Sequence, residues 1–445
     1  MAEKRIAVVG LGPKGAAIAA KAAALREVGF STPEIVLFEQ NRAGSAWSGQ
    51  FGYTDGDQEL CTSAERDVGF PYDRDLDMVF PNLASTTFAK FSWHAFLVAE
   101  GSKSESYGEW VARGRRPPLH RDFADYLSFV ASRSGSRIEA ATVTHIDYDS
   151  GTRQWLLSTN KAHQIQFDGV VITGNGPPYP NLPGSNERVF NGKNFWENLS
   201  KIHDLLVMEE PEDRSIVIIG SGGTAAAIAL KLIRAGIVEI PIHIIGHEAT
   251  LYVRVPSYFE DRLFSENDEW KTLAPHTRES FLSRLTKGVV WDAVLQSLNK
   301  NRNLTYQSFS ARGFRQVPGS SNPAELNVEL DYPPVPGIRT AASPSGPVQL
   351  MAATVFVDAR GFDPWWFVNL FPEGPLKNFF QPDSRRKVQN DVDETLAIVG
   401  NLSSGGTFPS GLHVPMMGFQ QSPAASNLMA LGWMSDRILT RYVSN

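Results

Sequence analysis

The chain has a single cysteine, Cys61, in 445 residues. A lone cysteine excludes an internal disulfide, a Cys-x-x-Cys redox pair and a cysteine-built zinc site. Isolated as it is, Cys61 reads as a small packed residue rather than a reactive thiol. No uninterrupted apolar run of about 18 residues occurs, so no membrane-spanning helix is expected. Ala2-Glu3-Lys4-Arg5 leads straight into Ile6-Ala7-Val8-Val9, which leaves no room for the apolar core of a signal peptide. A formal charge of −6 without a basic stripe argues against nucleic acid as a partner. The nine histidines lack metal-ligand spacing, so no metal site is expected. Together these absences describe a soluble, cytoplasmic protein. Oligomeric state stays open, and a homo-oligomer is allowed.

What remains is ordinary globular composition, 42% hydrophobic and 20% charged, at a length that suits two or three domains. Strand-like and helix-like runs alternate, which predicts an α/β fold with parallel sheets. The run 6–9 leads into a helix over about 15–29 and a strand over 34–38. Residues 49–116 show weak periodicity and read as a long functional loop. A helix over 120–134, short β runs over 142–158 and a buried strand over 167–173 follow. The strand ends in "GNGPPYPNLPG", a domain-boundary signal. A second βαβ unit starts at Ser215. Beyond it lie a helix-prone segment (about 259–300), a Pro/Ser/Gly-rich insertion (about 317–347), a strand over 354–358 and a closing helix over about 424–443.

Both units carry a glycine turn between strand and helix. In Gly10-Leu11-Gly12-Pro13-Lys14-Gly15, the first glycine makes the tight turn and the second admits a pyrophosphate. The third lets helix and strand pack. Glu39 ends the next strand, where a carboxylate can accept bonds from an adenosine ribose. The second turn is Gly220-Ser221-Gly222-Gly223-Thr224-Ala225, with alanine as the third small residue. Its following strand ends at Gly246 where the first unit has Glu39. Without a carboxylate there a ribose phosphate is not repelled, which favours NADPH. Arg254 is a candidate phosphate partner, while Glu248 nearby leaves NADH open. Trp47 and Gln420 are further cofactor-binding candidates. Two dinucleotide sites point to a bound FAD and a nicotinamide that reduces it, with molecular oxygen as the acceptor that needs least from the protein.

"TDGDQELCTSAERDVGFPY" (54–72), "GEWVARGRRPPLHRDFADYLSFVA" (108–131) and "SNLMALGWMSDRIL" (426–439) resemble the mycobactin-type lysine N-hydroxylases, members of the amino-acid N-hydroxylating flavin monooxygenases of siderophore pathways. The resemblance implies two Rossmann-like dinucleotide-binding domains with a small helical substrate region. An FAD domain would be made of 1–185 and 351–445, the latter with the closing helix. An NADPH domain would span 212–350, with a substrate-region insert at about 256–300. The implied chemistry is N-hydroxylation of a primary amine, L-lysine first and ornithine next, through a hydroperoxyflavin. No residue is assigned a catalytic role, because the flavin carries the chemistry. Phe190-Asn191-Gly192-Lys193-Asn194-Phe195-Trp196 starts like the FxGxxxH signature of Baeyer–Villiger and multi-substrate flavin monooxygenases but lacks its histidine, which favours the N-hydroxylating branch.

Substrate contacts implied by the resemblance fall on Arg66, Asp261 and Met429, each a departure from the family's pattern. Arg66 stands where the family has a lysine that pairs with the substrate's carboxylate, and a guanidinium can do so bidentately. Asp261 replaces an asparagine near the amino-acid head group; it would welcome an ammonium and repel a carboxylate. Met429 replaces a serine and cannot bond strongly. Trp365 and Trp366 read as packing residues. Two other readings stay open: an NADPH oxidase making hydrogen peroxide, and a non-catalytic dinucleotide-binding redox sensor.

Overall fold

Short apolar runs become the central strands of two parallel sheets in the computed structural model, which describes residues 4–73, 79–317, 326–331 and 349–443. The chain divides into two units. One comprises Met1–Gly176, Pro256–Glu279 and Pro364–Asn445, the other Pro177–Val255 and Ser280–Asp363. Most of the Pro/Ser/Gly-rich stretch lies outside the described residues.

In the first unit the strands run in the order Leu412–His413, Gly169–Ile172, Arg5–Val9, Glu34–Phe38, Arg137–Glu139, and neighbouring strands are parallel. Ile6, Ala7 and Val8 are fully buried, as expected of a strand covered on both faces. The helix Pro13–Glu27 follows, and its buried alanines let it approach other elements closely. It packs on His120–Ser134 and on the closing helix Leu431–Thr440. A buried ion pair, Lys21 Nζ to Asp436 at 2.7 Å, joins it to the latter. Loss of one partner from such a pair costs about 3–5 kcal/mol, because the other charge stays buried.

Several expectations need correction here. The stretch read as a long loop holds the helices Leu83–Phe91, Trp93–Ala99 and Tyr107–Ala112, each too short to show a clear period. The strand predicted over 167–173 splits into Ile165–Phe167 and Gly169–Ile172, because the Asp168 carboxylate turns to accept from the Arg5 amide at 2.8 Å. The closing helix starts at Leu431 rather than near 424; the residues before it form turns held by Ser422 Oγ and the Asn427 side chain. Cys61 is exposed, not packed: it sits between buried Leu60 and Thr62 in an irregular segment that turns it outward.

The second unit orders its strands Leu304–Ser308, Ile242–Gly246, Ile216–Ile219, Val355–Asp358, Val189–Asn191, again parallel. Ile216–Ile219 is buried throughout and carries the helix Gly223–Arg234. Asp358, at the end of its strand, is gripped by Arg360 Nε and Nη2, both at 2.8 Å, and accepts from the Leu182 amide. That fixes the proline-rich crossing at 177–182. Among the described residues, no helix is long and apolar enough to cross a membrane, and no group of three or more His, Cys, Asp or Glu could hold a metal.

Candidate functional site

The first glycine turn has the geometry of a pyrophosphate cradle. Gly10 sits at φ 100°, a region that favours glycine, and a Cβ there would lie 2.7 Å from Thr173 Oγ1. A Cβ on Gly15 would lie 2.3 Å from the Gly10 carbonyl oxygen, so helix and strand touch. Gly12 is different: a Cβ there meets no protein atom within 4 Å. The open face lies at the helix N-terminus, where backbone amides and the dipole favour an anion. Pro13 occupies the first helical position, where its missing N–H costs nothing. Glu39 Oε2 accepts from the Leu11 amide at 3.0 Å; Oε1 accepts from the Asn41 amide at 3.0 Å and Ser45 Oγ at 3.4 Å. A carboxylate offers about four acceptor positions and three are taken, so one is left for a ribose hydroxyl. These residues therefore suit FAD. Trp47 closes the 3-10 turn Ser45–Trp47 with its ring edge-on to His120, 4.7 Å between centroids. His120 is half-buried and desolvation pushes its imidazole down to about 4, so it stays neutral.

Lys14 goes elsewhere. Its buried Nζ donates to the Asn427 carbonyl at 2.9 Å, and burial lowers its ammonium to about 7. Asn427 Oδ1 in turn accepts from the Met429 amide at 2.8 Å. The glycine turn is thereby tied to the turns before the closing helix.

In the second unit Gly220 adopts φ 133°, and a Cβ there would lie 2.4 Å from the Ala359 carbonyl oxygen. Gly222 and Gly223 open the next helix beside Val289, with distances of 3.8 and 3.4 Å from their built Cβ positions. These are ordinary contacts that leave the amide end suited to a second pyrophosphate. Thr224 packs its methyl against Gly192. Packing accounts for the glycine at 246. A Cβ there would lie 2.5 Å from Ser221 Cβ and 2.6 Å from the Tyr306 hydroxyl. A side chain there would force Ser221 and Tyr306 aside, so packing keeps the strand end free of a carboxylate, and a ribose phosphate meets no like charge at that position. Glu248 lies beyond, 3.5 Å from Lys287 Nζ and 3.3 Å from His247 Nε2. Arg254 stands on the short strand Tyr252–Arg254, in register with Trp291.

The three substrate candidates, distant in sequence, meet in the first unit. Arg66 Nη2 lies 3.1 Å from Asp261 Oδ2, and Nη1 donates to the Met429 carbonyl at 3.2 Å. The guanidinium also covers the Phe70 ring at 5.0 Å. Met429 Sδ lies 3.7 Å from Thr62 Oγ1. Asp261 stands in the first turn of the helix Tyr258–Ser265, which is started by a Ser257/Glu260 capping box. Asp261 Oδ1 is buried and has no hydrogen-bond partner among the described residues. Beneath Arg66, and missed in the sequence, is Asp67. Its buried carboxylate accepts from the Tyr72 hydroxyl (2.6 Å) and the Trp93 (2.8 Å) and Gly69 (3.1 Å) amides. Burial pushes it up to about 7 against those donors. It holds the 66–72 loop in shape.

Gln420 contributes its carbonyl, which accepts from Trp270 Nε1 at 3.1 Å and Arg278 Nη1 at 3.4 Å. This anchors the 256–279 segment, which belongs to the first unit. Trp365 packs in an aromatic cluster with Phe367 and Phe380, and Trp366 Nε1 donates to the Gly174 carbonyl at 3.3 Å.

Two parallel-sheet units, each with a glycine turn opening a helix, define an α/β protein of two dinucleotide-type folds. Residues 84–311 match the L-lysine 6-monooxygenase/L-ornithine 5-monooxygenase family. L-lysine N6-monooxygenase MbtG of Mycobacterium tuberculosis is 30% identical, over 98% of this chain and 94% of that protein. The structure of lysine monooxygenase NbtG from Nocardia farcinica aligns with a TM-score of 0.77 at 28% identity, over 98% of this chain and 100% of that one. Ornithine N-hydroxylase KtzI of Kutzneria sp. 744 shares the fold, with a TM-score of 0.70 at 20% identity and 99% of both chains covered. The chain belongs to the lysine/ornithine monooxygenase family, and is a flavin-dependent N-hydroxylating enzyme.

Proposed function

We propose that this enzyme hydroxylates the terminal primary amine of a small amino acid or diamine, L-lysine being the leading candidate, using FAD, NADPH and molecular oxygen. The observation that carries the reading is the convergence of Arg66, Asp261 and Met429, supported by a first glycine turn whose Gly12 face is open. The FAD cradle would be Gly10, Gly12, Gly15 and Glu39, with Trp47 and Gln420 at its margins. The NADPH cradle would be Gly220, Ser221, Gly222, Gly223 and Thr224, with Arg254 a candidate for the ribose phosphate. In domain terms, the unit assembled from both ends of the chain would serve FAD and the other NADPH. A place in siderophore or other N–O metabolite synthesis, in the cytoplasm, fits the reading.

When bound, the two cofactors supply the electrons and the activation of oxygen. One oxygen atom ends on nitrogen, the other leaves as water, and NADPH is oxidised. The chain must deliver a neutral amine. A free lysine amine has a pKa of about 10.4, and desolvation disfavours its ammonium, so a dry binding site lowers it without a dedicated base. Arg66 and Asp261 would hold the far end and aim the amine, which converts a bimolecular encounter into an oriented one.

The experiment is an amine panel (lysine, ornithine, diamines, arginine, aspartate) scored for hydroxylamine alongside NADPH use. Hydroxylamine from at least one amine is expected. NADPH use that ignores every amine, with peroxide as product, would favour a simple oxidase instead.

A further inference from the structure

Gln58 is nearly sealed inside the first unit, 4% exposed, and its Nε2 is buried with no hydrogen-bond partner among the described residues. An unmet amide donor in such a place destabilises a folded chain unless an acceptor arrives. The backbone around it is already engaged. The Gln58 carbonyl accepts from the His120 amide at 2.8 Å, the Gly56 carbonyl from the Arg121 amide at 3.0 Å and the Pro118 carbonyl from the Leu60 amide at 2.8 Å. Thr54 Oγ1 is bonded to His120 Nδ1 at 2.9 Å and accepts from the Gly56 amide at 3.2 Å.

The segment that carries Gln58 links the two ends of the FAD cradle. At its start Thr54 holds His120, whose ring meets Trp47. The turn that Trp47 closes is tied to the cradle by Ser45 Oγ on Glu39 and by the Gly44 amide on the Leu11 carbonyl at 2.9 Å. At its end Thr62 Oγ1 reaches Met429 Sδ at 3.7 Å, and the Met429 carbonyl holds Arg66. Gln58 stands midway between these anchors. Glu39 and the glycine turn serve the adenosine and the pyrophosphate. The part of FAD left to lie between them and the amine is the isoalloxazine ring, whose edge carries carbonyl and ring-nitrogen acceptors.

From this geometry we infer that Gln58 is a flavin-binding residue, its side-chain amide donating to an acceptor on the isoalloxazine edge of FAD. The cofactor then supplies the acceptor that the chain lacks, and relief of the unmet donor adds to FAD affinity. This inference rests on the reading of the first unit as the FAD unit.

The test compares full-length, flavin-stripped wild type with Gln58→Leu, melted without ligand and titrated with FAD and, separately, with ADP. Leucine has a similar volume and no donor, so the stripped variant should melt at or above the wild-type temperature. It should bind FAD about 10- to 100-fold more weakly, the scale of one buried hydrogen bond. ADP, which lacks the ring, should bind both proteins equally. Unchanged FAD affinity in the folded variant overturns the inference. An equal loss for FAD and ADP also overturns it, since the donor would then face the adenosine half. Gln58→Met keeps the unbranched stem and drops the amide. A loss of folding or melting temperature shared by both variants overturns the inference as well, because the amide would have its partner in the free chain. A wild-type chain that takes up no FAD removes the FAD reading of this unit, and the inference with it.

Discussion

Lys14 and Asn427, 413 residues apart in sequence, are joined by a 2.9 Å hydrogen bond from a buried amine to a backbone carbonyl. Desolvation lowers the Lys14 ammonium from 10.5 to about 7, so between those pH values the unfolded chain binds more protons than the folded one. Stability therefore rises with pH across that window. Lys14→Met lacks this dependence. Relative to wild type, the variant should lose ground by up to about 1.4 kcal/mol per pH unit as pH climbs from 7 to 10. Paired thermal or urea unfolding across that range checks it; a difference independent of pH would show that Lys14 is not held neutral.

Arg66→Ala should weaken amine binding about 10- to 100-fold, the loss of a bond to a charged group, while NADPH reduces the flavin at close to the normal rate. Steady-state KM and rapid-mixing flavin reduction separate the two effects. Unchanged amine KM would remove Arg66 from the site.

Gly12 and Gly15 make a matched pair. A methyl on Gly12 meets no protein atom, whereas one on Gly15 would sit 2.3 Å from the Gly10 carbonyl oxygen. Gly12→Ala should fold normally and lose FAD affinity. Gly15→Ala should lose about 1–3 kcal/mol of stability through overpacking before any question of cofactor arises. Melting temperature of the FAD-stripped protein and flavin titration read the two separately.

Gly246→Glu, the change that would mimic Glu39 in the second unit, should not create an NADH enzyme. Its Cβ has to displace Ser221 and Tyr306, so reduced yield and a lowered melting temperature are expected in place of an altered NADPH/NADH ratio. A stable variant with switched preference would contradict the packing account.

The sequence conveyed local chemistry and little else. Glycine turns, flanking strands and Glu39 were legible because each works through neighbours within one βαβ unit. The steric reason for glycine at 246 was not legible, because it needs the positions of Ser221 and of Tyr306, the latter from a strand some sixty residues on. Helices such as Trp93–Ala99 were hidden by brevity, and Asp67 carried no motif because its donors, Tyr72, Gly69 and the Trp93 amide, are recruited by the fold. Arg66, Asp261 and Met429 could be nominated only by resemblance; nothing in their local sequence foretells that they touch.

The most direct test of the whole account is the ratio of hydroxylamine formed to NADPH consumed by the FAD-loaded enzyme, with L-lysine and 1,5-diaminopentane supplied in turn. The account predicts a ratio near one for at least one of them, falling sharply in Arg66→Ala. A ratio of zero for both, with NADPH oxidised at an undiminished rate, would contradict it.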